Sequence, residues 1–195
     1  MEADEWERTA CGEIKREKHF WGEKFESPLG LCCFFLAALA VFFRSPLVSL
    51  TLLLLPPAWE DWKTGYVSDY WSVFLAAAGL GHNVFYSRLT DGFISCAFVL
   101  GLYGLLFLLA KHAMGAGDIF LSGAAALWLA PVSVPLFLFL SASSAAMACM
   151  VLLFFGRMSR REGIPFCPFI ALGGVAAYGA EVFQLPFFPS WHCFI

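Results

Sequence analysis

From residue 29 onward the chain is a succession of apolar runs separated by short polar links. The runs cover 29–43, 47–59, 69–86, 92–110, 117–131, 133–155 and about 166–185. Several approach the ~20 residues that a helix needs to cross hydrocarbon. Arg44-Ser45-Pro46 divides the first two runs, each shorter than a full span, so 29–59 reads either as two short helices or as one bent element. Ser87-Arg88-Leu89-Thr90-Asp91 forms a polar link, and Pro131 marks a tight turn. Gly123-Ala124-Ala125-Ala126, Ser143-Ser144-Ala145-Ala146 and Gly173-Gly174 place small residues where helices approach closely in lipid. No internal repeat is visible.

Composition sharpens this picture. The 195 residues are 60% hydrophobic and 14% charged, against about half apolar and a quarter charged in a soluble domain. The pattern predicts an all-α, polytopic integral membrane helix bundle. Residues 1–27 are polar, with acidic residues first and Lys15, Arg16, Lys18 and Lys24 after them. They read as a solvated N-terminal segment lying at the interface through Trp6, Phe20 and Trp21. No cleavable signal peptide is expected. A net charge of -3 gives no reason to expect a nucleic-acid partner. The seven cysteines form no CxxC pair, so neither a disulfide framework nor a zinc site is expected, and most sit in apolar runs as small hydrophobes.

Charge then orients the chain. The positive-inside rule assigns the 15–24 region, Lys63, Lys111-His112 and Arg157/Arg160/Arg161 to the cytoplasm. Seven spans satisfy every one of these assignments; Arg44 and Arg88 dissent. A single span over 29–59 would place the N-terminal lysines outside. The same count brings Asp61 and Asp118 to one membrane face.

These two aspartates carry the candidate chemistry. Asp118 closes Met114-Gly115-Ala116-Gly117-Asp118 between two apolar runs, where a carboxylate costs a few kcal/mol and its default reading is functional. Gly115 and Gly117 let the backbone bend and approach a substrate closely. Asp61 lies in Glu60-Asp61-Trp62-Lys63-Thr64-Gly65-Tyr66-Val67-Ser68-Asp69. Two neighbouring carboxylates cannot both ionise cheaply, so one keeps a proton while the other activates water. Blander roles exist for each residue: Asp61 as partner of Lys63, Asp69 as N-cap of the next helix, and Lys63 and Lys111 as headgroup anchors. Pro165 and Pro168 aim a helix, Trp59, Trp62, Trp71 and Trp191 fit an aromatic belt, and His82, His112 and His192 fit interfaces.

Together the motifs resemble the type IV prepilin peptidases, GxGD membrane aspartyl proteases that include the preflagellin peptidases. The family's first motif, an Asp followed by Thr and an Ile-Pro-Asn/Asp element, is matched by Asp61, Thr64, Val67, Ser68 and Asp69, with Ser68 in place of Pro. Its Met-Gly-x-Gly-Asp is matched by Met114 to Asp118, with Ile119-Phe120 where Lys or Arg is common. A later element is matched by Ile164-Pro165-Phe166-Cys167-Pro168-Phe169 and Gly173-Gly174. The resemblance covers about 47–185. It implies a six-helix peptidase core within a domain at 47–195, an extra membrane segment at 28–46 and the polar segment 1–27.

The resemblance further implies a catalytic pair, Asp61 and Asp118, supported by Gly115, Gly117, Thr64, Asp69, Lys111, Pro165 and Pro168. No cofactor or metal is implied. The expected substrates are prepilin-like or preflagellin-like proteins, cut at the cytoplasmic face of a prokaryotic inner membrane with the N-terminus inside. The family's methylating members carry a cysteine-rich loop; this chain has no four-cysteine pattern, so cleavage without N-methylation is expected. Other readings of the same residues are a degenerate homologue serving as an assembly scaffold, and a proton-coupled transporter. A transporter's inverted repeat is not visible. Presenilin-type peptidases rank lower, because no Tyr-Asp pair stands at the first aspartate.

Overall fold

The computed structural model describes residue 36 and residues 45–109, 115–155 and 164–183. The polar segment 1–27, almost all of the 28–46 segment, the Lys111–Met114 stretch and the basic 157–161 loop lie outside them. Six α-helices follow one another, with no strand among the described residues. They are α1 (Pro46–Thr64), α2 (Asp69–Phe85), α3 (Leu89–Leu109), α4 (Ala116–Ala126), α5 (Val134–Phe154) and α6 (Cys167–Val182). One 3-10 turn, Pro131–Ser133, introduces α5.

Each helix answers to a run in the sequence, with instructive differences at the ends. α1 starts where Ser45-Pro46 predicts, because proline suits a first turn whose amide needs no partner. It then continues through Pro56 and Pro57, both buried, to Thr64. Asp61 therefore sits in the last turn of a helix about 28 Å long at 1.5 Å per residue, rather than in a loop beyond the span. Gly65, with φ of 65°, ends α1 in the left-handed conformation that a Cβ disfavours, and its N–H closes on the Asp61 carbonyl at 2.8 Å.

α4 departs most, stopping at Ala126 although the apolar run extends to 131. The irregular backbone that follows is satisfied by side chains of neighbouring helices. Asn83 Nδ2 donates to the Leu127 carbonyl at 2.7 Å and Ser95 Oγ to the Leu129 carbonyl at 2.8 Å. Trp128 Nε1 donates to the Leu75 carbonyl at 3.2 Å. Non-helical backbone persists at membrane depth only when buried and bonded in this way.

α6 packs on α5 and α1, α4 packs on α2 and α3, and α4 meets α6 between the two groups. Leu50, Leu54, Leu75, Leu121, Trp128, Phe137 and Ile170 fill the interior. Phe93, Phe98, Leu105, Leu108, Phe139, Met147 and Phe154 face outward. α3 and the Pro131–Phe154 segment are long and apolar enough to cross a membrane, while α4 and α6 are shorter apolar helices. In lipid an outward apolar surface costs nothing, and close contact of small residues supplies cohesion. Gly173 shows that contact: a Cβ there would lie 3.0 Å from the Phe137 carbonyl and the Ser141 amide of α5.

The end of the bundle remote from Asp61 is tied by a polar network. Arg88 Nη2 donates to Glu181 Oε1 at 2.6 Å, and Glu181 Oε2 accepts from the Ala130 N–H and Ser133 Oγ, each at 3.1 Å. Arg88, the dissenter from the positive-inside assignment, thus has its charge balanced by a carboxylate. His82 is corrected from an interfacial side chain to a buried one, stacked on Trp128 with Nε2 3.0 Å from the Tyr178 hydroxyl.

Gly92 faces this corner. A Cβ on it would collide with Asn83 Nδ2 and come within 2.8 Å of the Leu127 carbonyl. Gly92→Ala is expected to destabilise the bundle by about 1–3 kcal/mol in detergent unfolding, as overpacking does. Gly101→Ala, whose Cβ meets nothing within 4 Å, should leave the midpoint unchanged.

Candidate active site

α1 delivers Asp61 from its last turn, α4 delivers Asp118 from its first turn, and α6 begins between them. Pro168 stands in the opening turn of α6, where its fixed φ favours helix entry and its missing N–H is not needed. The first residue of α6, Cys167, then points both its donors into the site. Its N–H donates to Asp61 Oδ2 at 2.9 Å, and its thiol donates to Asp118 Oδ1 at 3.0 Å. An oxygen of each carboxylate and Cys167 Sγ all lie within 4.8 Å of one another. Asp61 and Cys167 are buried, and Asp118 is half-buried. Two carboxylates and one thiol form a donor set that could hold a divalent cation.

The electrostatics come from helix ends. Asp69 lies in the first turn of α2, Asp118 in that of α4, and Asp61 on the first amide of α6. Asp69 and Asp118 thus face the positive ends of their own helices, while Asp61 stands between the negative end of α1 and the positive end of α6. Among the described residues, Arg88 forms the ion pairs, with Asp91 and Glu181, and neither Asp61 nor Asp118 pairs with a lysine or arginine. Lys63 instead lies 4.7 Å over the Trp59 ring on the exposed side of α1.

The supporting residues divide. Thr64 is exposed and shapes the bend after α1, with Oγ1 2.8 Å from the Glu60 carbonyl and 2.9 Å from that of Tyr66. Asp69 is corrected from N-cap to first helical residue; Ser68 holds the cap position in extended backbone. The exposed Asp69 reaches toward α4, its Oδ1 3.8 Å from where a Cβ of Gly117 would lie. Neither Gly115 nor Gly117 has positive φ, and a Cβ on either would meet neighbours at ordinary contact distance. Pro165 precedes α6 and is half-buried. Lys111 and Met114 lie outside the described residues.

Sequence reasoning missed two participants. Cys167 read as an inert apolar cysteine, although its place as the first residue of the last helix, inside the Pro165–Pro168 element, was the available signal. Glu60 is the second. Its carboxylate accepts from Ser68 Oγ at 3.1 Å, the Ser68 N–H at 3.4 Å and Trp71 Nε1 at 3.0 Å. Trp71 is therefore corrected from the aromatic belt to the interior, at 6% exposure. The Ser68 N–H contact is one that proline could not make.

Known proteins fit this arrangement. The model of the type IV leader peptidase family matches residues 47–152, more than half of the chain and inclusive of both aspartates. This chain belongs to that family. Prepilin leader peptidase/N-methyltransferases of Burkholderia pseudomallei strains 1026b and K96243 are each 32% identical to it over 162 residues. The alignment covers 78% of this chain and 48% of each relative, so the chain spans about half the length of these curated relatives. No solved structure matches. Asp118, which ends Gly115-Ala116-Gly117-Asp118, lies in the first turn of α4, and Asp61 lies in the last turn of α1.

Glu60 tests how firmly the bend between α1 and α2 is held. Glu60→Ala strands the Ser68 and Trp71 donors and should cost about 1–3 kcal/mol of stability in detergent unfolding. Glu60→Gln retains an acceptor and should lose less than half of that.

Proposed function

We propose that this chain is a membrane aspartyl endopeptidase that removes the basic leader peptide of prepilin-like or preflagellin-like proteins. The supporting observation is the meeting of Asp61 and Asp118, far apart in sequence and on different helices, within 4.8 Å at a common end of the bundle. In this reading one carboxylate takes a proton from water, which attacks the scissile carbonyl. The other donates its proton to the tetrahedral oxygen and recovers it when the C–N bond breaks and the carbonyl re-forms, while the first passes the water-derived proton to the leaving amine. The pair titrates as a unit, so the roles are not divided between the two residues. Thr64, Asp69, Gly115, Gly117, Lys111, Pro165 and Pro168 position the pair and its approaches.

The setting is the cytoplasmic membrane of a prokaryote, with the catalytic end and the N-terminus inside and cleavage just before the substrate's apolar helix. The domain is 47–195, preceded by a membrane segment at 28–46 and the polar segment 1–27. Glu60, Asp61 and Asp69 give this end an acidic character that attracts a basic leader. Cleavage proceeds without N-methylation, since these 195 residues hold no four-cysteine pattern.

Co-expression of a prepilin with the wild type should yield the shortened product. Asp61→Asn and Asp118→Asn should each lower cleavage by about 1,000-fold while still inserting. Full activity in either variant would remove that aspartate from the pair. Intact leaders with the wild type, across several prepilins and preflagellins, would favour the scaffold reading. The pH profile of kcat/KM should be bell-shaped, since one carboxylate must be charged and one protonated. Mass spectrometry of the product should show an unmethylated terminal amine; a 14 Da increment would contradict cleavage without methylation.

A further inference from the structure

We propose that Cys167 is a positioning residue that clamps both aspartates at once, through its amide to Asp61 and its thiol to Asp118, and thereby selects which carboxylate oxygens face water and substrate. The proposal rests on the peptidase reading for its catalytic consequence, but the clamp itself is independent of it.

The two bonds differ in kind. Any residue other than proline at position 167 would present the amide that reaches Asp61 Oδ2 at 2.9 Å. The bond to Asp118 Oδ1 at 3.0 Å belongs to the side chain alone. A carboxylate oxygen only accepts unless it is protonated, so the thiol supplies the hydrogen. Cys167 is fully buried, and Pro168 restrains the backbone on its C-terminal side, so the sulfur has little freedom to swing away.

With Oδ1 engaged, the second oxygen of Asp118 turns to the side of Gly115, where an added Cβ would stand 3.4 Å from Oδ2. The clamp therefore presents Asp118 Oδ2 across the surface that Gly115 leaves bare. Thiols are weak donors. Such a clamp orients the carboxylate and still yields when a water or the tetrahedral oxygen competes for it.

Two variants and one spectroscopic signature test this in the full chain in membranes. Cys167→Ala keeps the amide and loses the thiol; kcat for a prepilin substrate should fall about tenfold with KM within twofold. Cys167→Ser restores a donor and should recover kcat to within about threefold of wild type. Full activity in the alanine variant overturns the proposal. So does a serine variant as slow as alanine, because the role would then be packing.

Independently of cleavage, the infrared difference between wild type and Cys167→Ala isolates the Cys167 S–H stretch. Its frequency should be lowered by the hydrogen bond to Asp118 and should rise in Asp118→Ala, which removes the acceptor. A band insensitive to Asp118→Ala overturns the clamp whether or not the chain cleaves. A lowered, Asp118-sensitive band in a chain that cuts no leader would uphold the clamp and remove the peptidase reading.

Discussion

A helix that begins inside a bundle starts with amide hydrogens that have no acceptor in its own backbone. α6 meets this need with Asp61, a carboxylate carried by α1 and 106 residues distant from the amide it accepts. The bond stabilises the helix start, draws α6 against α1, and fixes where Asp61 points. Because the same residue of α6 also reaches Asp118, the entry of one helix sets the spacing of the whole site. The local bend at Gly65 and the first-turn proline of α6 flank that convergence.

The opposite end of the bundle solves a related problem with opposite means. There the backbone is irregular between Ala126 and Pro131, and Asn83, Ser95 and Glu181 supply its partners. Polar side chains in an apolar chain are costly unless bonded. This corner answers the cost by using them to complete backbone that the helices leave open. Both ends follow from one sequence economy: polar residues stand where helices stop.

The helices were legible because period and length suffice to show an apolar segment, and the ends were legible where proline or glycine marks them. α4 was read too long because Leu127-Trp128-Leu129-Ala130 is as apolar as the helix before it; the turn is made by side chains of α2 and α3, which no local pattern reveals. The convergence of Asp61 and Asp118 was readable from charge parity and motif order. The place of Cys167 was not, since hydrophobicity treats a buried cysteine and a hydrogen-bonded one alike. Trp71 was hidden for a similar reason: by type it fits an aromatic belt, and its bond to Glu60 across the α1–α2 bend is a tertiary fact.

Similarity and folding draw different borders on this chain. The family match ends at residue 152, yet α6 lies beyond it and provides a partner at both ends, Cys167 to the aspartates and Glu181 to Arg88. A domain boundary set by likeness alone would sever the helix that closes the bundle. The folded unit therefore runs past the border of the family model, and α6 ties the bundle together at both of its ends.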